Sequence, residues 1–338
     1  MSSLEHILAS NALIGPDDVP KTAVFVGATD GIGKATLQTL VSKGFQMKIY
    51  IVGRNKASHQ GLLEDLARNN PRVTLIFIEG QISLVADAQR IASQIAAQED
   101  RVDLLFLSSG YLPFTGPQET PEGLEASQVV SYYSHVVFVL RLLQQLRRAS
   151  VRRPARVLNI LAAGEESMDL YLDDLTLKKP EHFNVPAYAK HAATSVTLTL
   201  KRIAEEKENS NIVFIHAHPG MVSTKIFQKS WGDKYDPDTA HFPMPTRHIF
   251  QCTPEQAGER CLYLATSAEY GGVGVALQHG RQEARTMAHV SKHSLFAISD
   301  RMEYLQPDEL LAELQKLGAP EVIWAHTMDV LETHGGVD

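Results

Sequence analysis

Glycines at the end of the first apolar run carry the most specific chemical signal in the chain. The segment VFVGATDGIG spaces Gly27, Gly31 and Gly33 as GxxxGxG, between a strand-like run and a helical pattern. A backbone that turns tightly and lets a pyrophosphate approach needs glycine at such points. The helix that follows presents free N–H groups and the positive end of its dipole to an anion. Thr29, Asp30 and Ile32 fill the rest of that cradle. A bare strand-to-helix turn also favours glycine, so the spacing alone is weak. Its place at the head of a strand–helix alternation is what points to a nucleotide.

The second strand bears on which nucleotide. Sheets that take NAD place an acid about twenty residues beyond the glycines, where it accepts from the ribose 2′-OH. Here the chain reads IYIVGRN, with Gly53, Arg54 and Asn55 and no acid. A guanidinium there suits a 2′-phosphate through charge-assisted hydrogen bonds, against the alternative of a solvated arginine at a strand end. NADP(H) is expected over NAD(H), with Arg54 and Asn55 at the ribose.

Groups able to move a proton gather on two segments. Tyr133 and His135 share a helical stretch with Ser131, one turn before His135. Glu165, Glu166 and Ser167 follow an apolar run, where an α/β sheet exposes its active edge. Histidine titrates nearest neutrality and is the natural carrier, although each of these residues also suits an ordinary packing or surface role. His216 and His218 alternate on a strand, but no third ligand of sensible spacing follows, and no metal site is expected. Arg147, Arg148, Arg152 and Arg153 end a helix before Pro154, where cations complement the dipole. No Gly-x-Ser-x-Gly elbow supplies a serine nucleophile.

The elements that must hold these residues are read from the apolar runs. Strands are expected at Thr22–Val26, Lys48–Val52, Thr74–Ile78, Leu104–Leu107, Arg156–Leu161, Ile212–Ala217 and Val273–Leu277. Most are almost wholly apolar, as strands buried on both faces are. Helical patterns lie between them at Lys34–Lys43, Leu62–Arg68, Val85–Gln98, Ser127–Arg148 and Ala187–Glu208. This alternation predicts a doubly wound parallel α/β sheet of about seven strands in three layers, in a single domain. Residues 221–250 set Phe227, Trp231, Tyr235, Phe242 and Phe250 among polar residues and prolines, and read as a substrate loop or lid. An amphipathic helix over Pro307–Leu317, with Leu310, Leu311 and Leu314 on one face, is expected to dock on the domain.

Composition narrows the setting. Apolar residues make up 44% and charged residues 21% of 338, the balance of a globular chain. A formal charge of -7 argues against nucleic acid as a partner. Cys252 and Cys261 are too few for a disulfide framework and suit a reducing compartment. No apolar stretch approaches the roughly 20 residues of a membrane span. The start, MSSLEHILASNALIGPDDVP, carries an acid at Glu5 and no long apolar core, so no secretory signal is read there. A cytoplasmic protein that works away from membranes is expected.

With these elements placed, residues 20–280 resemble the short-chain dehydrogenase/reductase superfamily. The glycine loop matches. Asp103-Leu-Leu-Phe-Leu-Ser-Ser-Gly110 looks like the family's fourth strand and Asn-Asn-Ala-Gly turn, with serines replacing the polar residues. Pro219-Gly-Met-Val-Ser-Thr224 looks like its Pro-Gly-x-Val-x-Thr segment, which in the family lies against the nicotinamide. LLFLSSGYLPFTGPQETPEGLE, Tyr132-Tyr133-Ser134 and the late IWAHT are similar to a divergent branch found largely in filamentous fungi. The resemblance implies a Rossmann-type NAD(P)-binding domain over 21–280, after an N-terminal extension (1–20) and before a C-terminal helical extension (281–338). It also implies Gln81, Ser109, Gly110, Lys190, Pro219, Gly220, Val222 and Thr224 beside the cofactor.

The family's chemistry uses a Tyr-x-x-x-Lys helix, a serine after the fifth strand and an asparagine in the preceding helix. In VPAYAKHAATSVTLTL the lysine register falls on Lys190 and leaves Pro186 at the tyrosine position. Tyr188 lies only two residues before Lys190, about 200° around a helix. Ala162 stands where the serine is expected, and Ser131 aligns with the asparagine. Only the lysine survives. Tyr188 can still turn into the site if Pro186 opens the helix, and Tyr133, His135 and Ser131 are the other candidates.

Three functions remain open on these residues. The first is an NADP(H)-dependent oxidoreductase acting on a carbonyl or alcohol of a medium-sized apolar metabolite, with fungal secondary metabolism implied by the resemblance. The second is a non-redox cyclase, isomerase or dehydratase on the same scaffold. The third is an NADP(H)-binding sensor or scaffold without turnover. Family members commonly pair through helices matching Ser127–Arg148 and Ala187–Glu208, so a homodimer is open unless the tail covers that face.

Overall fold

A sheet that is apolar on both faces must be buried between two helical layers, and the chain builds that arrangement. The computed structural model describes residues 3–231, 252–277, 286–287 and 294–335. Strands β1 (Thr22–Val26), β2 (Met47–Gly53), β3 (Val73–Glu79), β4 (Leu104–Leu107), β5 (Ala155–Ile160), β6 (Ile212–Ala217) and β7 (Leu295–Ile298) run parallel. Their order is β3-β2-β1-β4-β5-β6-β7, and a short β8 (Tyr304–Leu305) pairs antiparallel at the β7 edge. The order reverses between β1 and β4, and sheets of this kind bind ligands beyond the strand ends at such a switch point.

Side chains of β1 alternate between the two cores. Val24 and Val26 join one apolar cluster, Ala23 and Phe25 the other. The first cluster is covered by α4 (Val85–Gln98), α6 (Ser134–Ser150), α7 (Val185–Glu205), α10 (Asp308–Lys316) and α11 (Ala319–Gly335). The second is covered by α1 (Leu4–Ala12), α2 (Gly31–Val41), α3 (Gln60–Asn69) and α9 (Pro254–Thr266). The remaining helices are short: α5 (Ala126–Gln128) leads into α6, and α8 (Ile226–Trp231) follows β6. Register brings the strand ends level, because Val26 pairs with Val52 on one side and Leu107 on the other. Gly27, Gly53 and Ser108 therefore leave the sheet side by side.

The sheet departs from expectation at its far edge. Val273–Leu277 is not a strand; it makes one isolated bridge, Val275 to Ser267. Gly271, Gly272 and Gly274 take φ of 86°, 73° and 131° there, and a run so rich in left-handed turns does not extend. The place beside β6 goes to Leu295–Ile298, an unbroken buried apolar run. That strand and β8 lie inside the stretch expected to be a helical extension, so Leu295–Ile298 and Tyr304–Leu305 join the sheet ahead of the final helices. Among the described residues the sheet has eight strands, seven of them parallel. At the other end, α1 packs on α9, with Ile7 fully buried and Asn11 Nδ2 donating to the Glu259 carbonyl at 2.9 Å.

The tail itself is helical. Leu311 and Leu314 of α10 are buried, and α11 lies against α4 and α7. Among the described residues no helix is long and apolar enough to cross a membrane. No group of three or more His, Cys, Asp or Glu among them is placed to hold a metal ion.

Candidate active site

The β1–α2 turn is pressed against the end of β4. Gly27 takes φ 91°, and a Cβ there would lie 2.4 Å from the Ser109 nitrogen. A Cβ on Gly33 would lie 2.5 Å from the Gly27 carbonyl oxygen. No side chain fits at either point, so the backbone is bare at Gly27 and Gly33. Asp30 Oδ1 accepts from Gly31 N at 2.8 Å and caps α2, whose other first-turn N–H groups have no intrahelical partner. Thr224 comes in from beyond β6, its Cγ2 3.2 Å from where a Cβ on Gly31 would sit. Val222 packs with Ile32. Gly220, at φ 75°, makes the turn between them and β6.

The end of β2 closes the other flank. A Cβ on Gly53 would meet Thr29 Cγ2 at 2.8 Å. Arg54 and Asn55 follow it into solvent; Asn55 Oδ1 accepts from Ser58 N at 3.1 Å, while Arg54 makes no hydrogen bond or ion pair among the described residues. Gln81 lies exposed after β3, its Nε2 donating to Ser83 Oγ at 2.8 Å.

His135 ties the β4 turn to β5. Its Nε2 lies 2.7 Å from Ser109 Oγ and its Nδ1 3.2 Å from Asn159 Oδ1. Burial pushes the imidazole down to about 4, so the ring is neutral at physiological pH and has one N–H for these two contacts. Ser109 Oγ also donates to the Val130 carbonyl at 3.0 Å, so the turn after β4 is tied to the segment leading into α6 as well. His135 is thus a buried brace rather than a group facing the cleft. Gly110 ends the same turn beside Ser131, a Cβ there standing 3.8 Å from Ser131 Cβ.

Between α5 and α6 the chain forms a π turn over Val129–Tyr133, a distortion frequent at functional sites. Ser131 points inward from it. Its Oγ donates to the Ser127 carbonyl at 2.5 Å and stands 2.6 Å from Tyr188 Oη, from which it accepts. Tyr132 and Tyr133 point the other way. The Tyr132 hydroxyl bonds Thr199 at 2.8 Å and Thr327 at 2.7 Å, and the Tyr133 hydroxyl bonds His326 Nε2 at 2.8 Å. Tyr133 therefore belongs to the seam with α11, not to the group around Tyr188.

Helix α7 begins at an Asn184 cap with Pro186 in its first turn. Its inward face carries Tyr188 and, one turn on, Ala192, packed with Leu161, Leu112, Tyr171 and Phe183. Lys190 lies on another face, where its Nζ meets exposed Asp169 at 2.6 Å and holds that carboxyl below the usual range. Among the described residues no ammonium stands beside the Tyr188 phenol. Burial raises its pKa far above the ordinary value, with Glu125 and Tyr111 adding to the rise. The position of Ala192 was legible in principle, since residues four apart share a helix face. Nothing in the sequence pattern marked Glu125, a buried cap that accepts from Gln128 N at 2.9 Å.

Behind Ala162, where a serine was expected, lies a buried polar chain. Ala162 N donates to His216 Nε2 at 3.3 Å, so the His216 proton sits on Nδ1 and donates to Thr197 Oγ1 at 2.8 Å. Thr197 in turn donates to Glu166 Oε1 at 2.6 Å, and Gly164 N donates to Glu166 Oε2 at 2.6 Å. Burial would raise the Glu166 pKa, but the bonds from His216 and Thr197 outweigh it and keep the carboxylate ionised. Glu166 and His216 are thereby occupied with each other and with the turn after β5. His218 is turned back on its own loop, Nδ1 accepting from Gly220 N at 2.9 Å.

One element crosses the cleft. Helix α8 places Lys229 Nζ 2.6 Å from Asp30 Oδ2, and its Ser230 Oγ accepts from Leu112 N at 3.0 Å. It spans from the glycine loop to the turn after β4. Most of the expected substrate loop, with Tyr235, Phe242 and Phe250, lies outside the described residues.

Known proteins place this arrangement among relatives. A family model described as short chain dehydrogenase matches residues 21–165. The NmrA-like family domain-containing oxidoreductase notO of an Aspergillus species is 32% identical over 97% of this chain and 94% of its own length. Oxidoreductase andH of Emericella variicolor is 34% identical over 83% of this chain and 80% of its own. The Pseudomonas aeruginosa RhlG/NADP active-site complex has the same fold, with a TM-score of 0.54 at 22% identity, over 77% of this chain and 95% of that one.

Proposed function

This chain belongs to the short-chain dehydrogenase/reductase family and is an oxidoreductase of that type, and we propose that it is specific for NADP(H) and acts on a carbonyl or alcohol of a medium-sized, largely apolar metabolite. The observation that carries the reading is the glycine cradle beside an exposed arginine that has no partner among the described residues. A dinucleotide fits it: the N–H groups of Gly31, Ile32 and Gly33 would take the diphosphate, and Thr29 and Asp30 line the same loop. Arg54 and Asn55 would take the 2′-phosphate, with Gln81 near the adenine side. Ser109, Gly110, Pro219, Gly220, Val222 and Thr224 would flank the nicotinamide half. When bound, the dinucleotide supplies or accepts the hydride.

The chain's own part is orientation and one proton. Tyr188 is the best placed donor, kept as a phenol by burial and oriented by Ser131. The apolar residues packed around it suit an apolar substrate. Lys190, His135 and Tyr133 hold structure at a distance from that hydroxyl. Its notO and andH relatives come from fungi, in keeping with a role in fungal secondary metabolism, and the two buried free cysteines suit the cytoplasm. Pairing through α6 and α7 is not part of the proposal, because α11 lies on that side.

The test is a thermal-shift titration with NADPH, NADP⁺, NADH and NAD⁺. A ligand at 100 times its dissociation constant stabilises by about 2.7 kcal/mol. A shift with the phosphorylated pair, abolished by Arg54→Ala, is expected; no shift with any of the four refutes the reading. A second reading, a non-redox enzyme on this scaffold, draws on Lys190 facing Asp169, with no other lysine beside Tyr188 among the described residues. Product formation at equal rate without dinucleotide would select it.

A further inference from the structure

Asp30 stands at the α2 N-terminus, where the proposed diphosphate would lie. One of its oxygens caps Gly31, and the other meets Lys229. A carboxylate at that point repels phosphate unless a cation answers it. Two do: Lys229, and Lys225 one turn earlier, which also acts on Asp30. The Lys229–Asp30 pair is largely solvated, at 52% and 38% side-chain exposure, and ion pairs so exposed are weak and readily exchanged. Ser230, next along α8, is fixed to Leu112 N across the cleft. Lys229 is thus held over the glycine loop by a neighbour pinned on the far side, with a partner it can leave.

We propose that Lys229 is a diphosphate-binding residue: it exchanges Asp30 for the diphosphate of the dinucleotide, so that α8 latches onto the ligand instead of onto the loop. Asp30 keeps its bond to Gly31 N and continues to cap α2. The proposal rests on the cofactor reading above.

The test compares wild type, Lys229→Ala, Asp30→Asn and the double variant by calorimetric titration with NADP⁺ and with adenosine 2′-monophosphate. The second ligand carries the ribose phosphate but no diphosphate. Asparagine caps a helix as well as aspartate, so Asp30→Asn removes the charge and keeps the helix start. Lys229→Ala should weaken NADP⁺ binding about tenfold in both backgrounds, the scale of one charge-assisted phosphate contact. It should leave adenosine 2′-monophosphate unchanged, and Asp30→Asn alone should bind NADP⁺ at least as tightly as wild type. If the loss vanishes in the Asp30→Asn background, Lys229 only neutralises Asp30 and the exchange is wrong. An equal loss for both ligands, or no loss at all, also overturns it while the cofactor reading stands. A wild type that binds neither ligand overturns the cofactor reading and the latch with it.

Discussion

The Tyr188 hydroxyl lies 2.6 Å from Ser131 Oγ, and both side chains are buried, while Lys190 two residues along the same helix faces out to Asp169. The serine comes from a π turn and the tyrosine from the first turns of α7, so two distortable helix starts meet at one hydrogen bond. This contact, rather than the lysine register, is the one on which the proposed proton donor rests.

Tyr188→Phe should therefore lower turnover at least a hundredfold, the usual scale for a lost proton donor. Its cost in stability should be near 1 kcal/mol, since Ser131 keeps its bond to Ser127. Lys190→Ala should change kcat less than about threefold, as expected for a solvated ion pair. Steady-state kinetics on both variants checks the pair, and the reverse order of effects would return the lysine to the site.

The pH profile should carry the same signature. Burial raises the Tyr188 pKa, so the phenol form is fully present below its ordinary value and is lost only above it. Reduction should show no falling limb from this group between about pH 6 and about 9, whereas oxidation, which needs the phenolate, should keep rising to the alkaline end. A break near neutrality that disappears in Tyr188→Phe would contradict the assignment.

Acid should loosen the brace behind the glycine loop. His135 has a folded pKa near 4, depressed below its unfolded value, so its contribution is present above about 6.5 and is lost as pH falls toward 4. The loss is on the order of 3 kcal/mol at the acid end. Melting temperatures of wild type and His135→Gln should converge over that interval; parallel curves would show that His135 is not the titrating group.

Removing α11 should change the state of association. A chain ended at Gly318 loses the Tyr132–Thr327 and Tyr133–His326 bonds and uncovers the apolar surface under Ile323, Val330 and Leu331. Full-length protein should sediment as a monomer and the shortened chain as dimers or larger species. A monomeric shortened chain would mean that α11 does not shield that face.

Local chemistry was legible where local rules decide. The glycine loop, the α4 boundaries at Val85 and Gln98, and the first six strands follow from apolar runs and turn residues. The last parallel strand was misplaced because GGVGVAL looks apolar, yet its glycines favour turns, while LFAI sat unrecognised in a stretch read as tail. The tetrad was harder for a different reason. Reading Lys190 as the fixed point put Pro186 in the tyrosine slot, but which face of α7 meets Ser131 is set by packing against α6, a contact between residues far apart in sequence. The Glu166–Thr197–His216 chain is equally non-local, joining a loop, a helix and a strand.

Because β7 enters the sheet only after the chain has travelled from Ala217 to Leu295, β6 has no partner on that side until late in synthesis. A nascent chain emerging from the ribosome must carry an unpaired apolar strand edge through the making of α8 and α9, a state that invites pairing with other chains. Closing it is a long-range parallel pairing, the slowest kind to form. The late arrival of Leu295–Ile298 is therefore what closes the exposed edge of Ile212–Ala217.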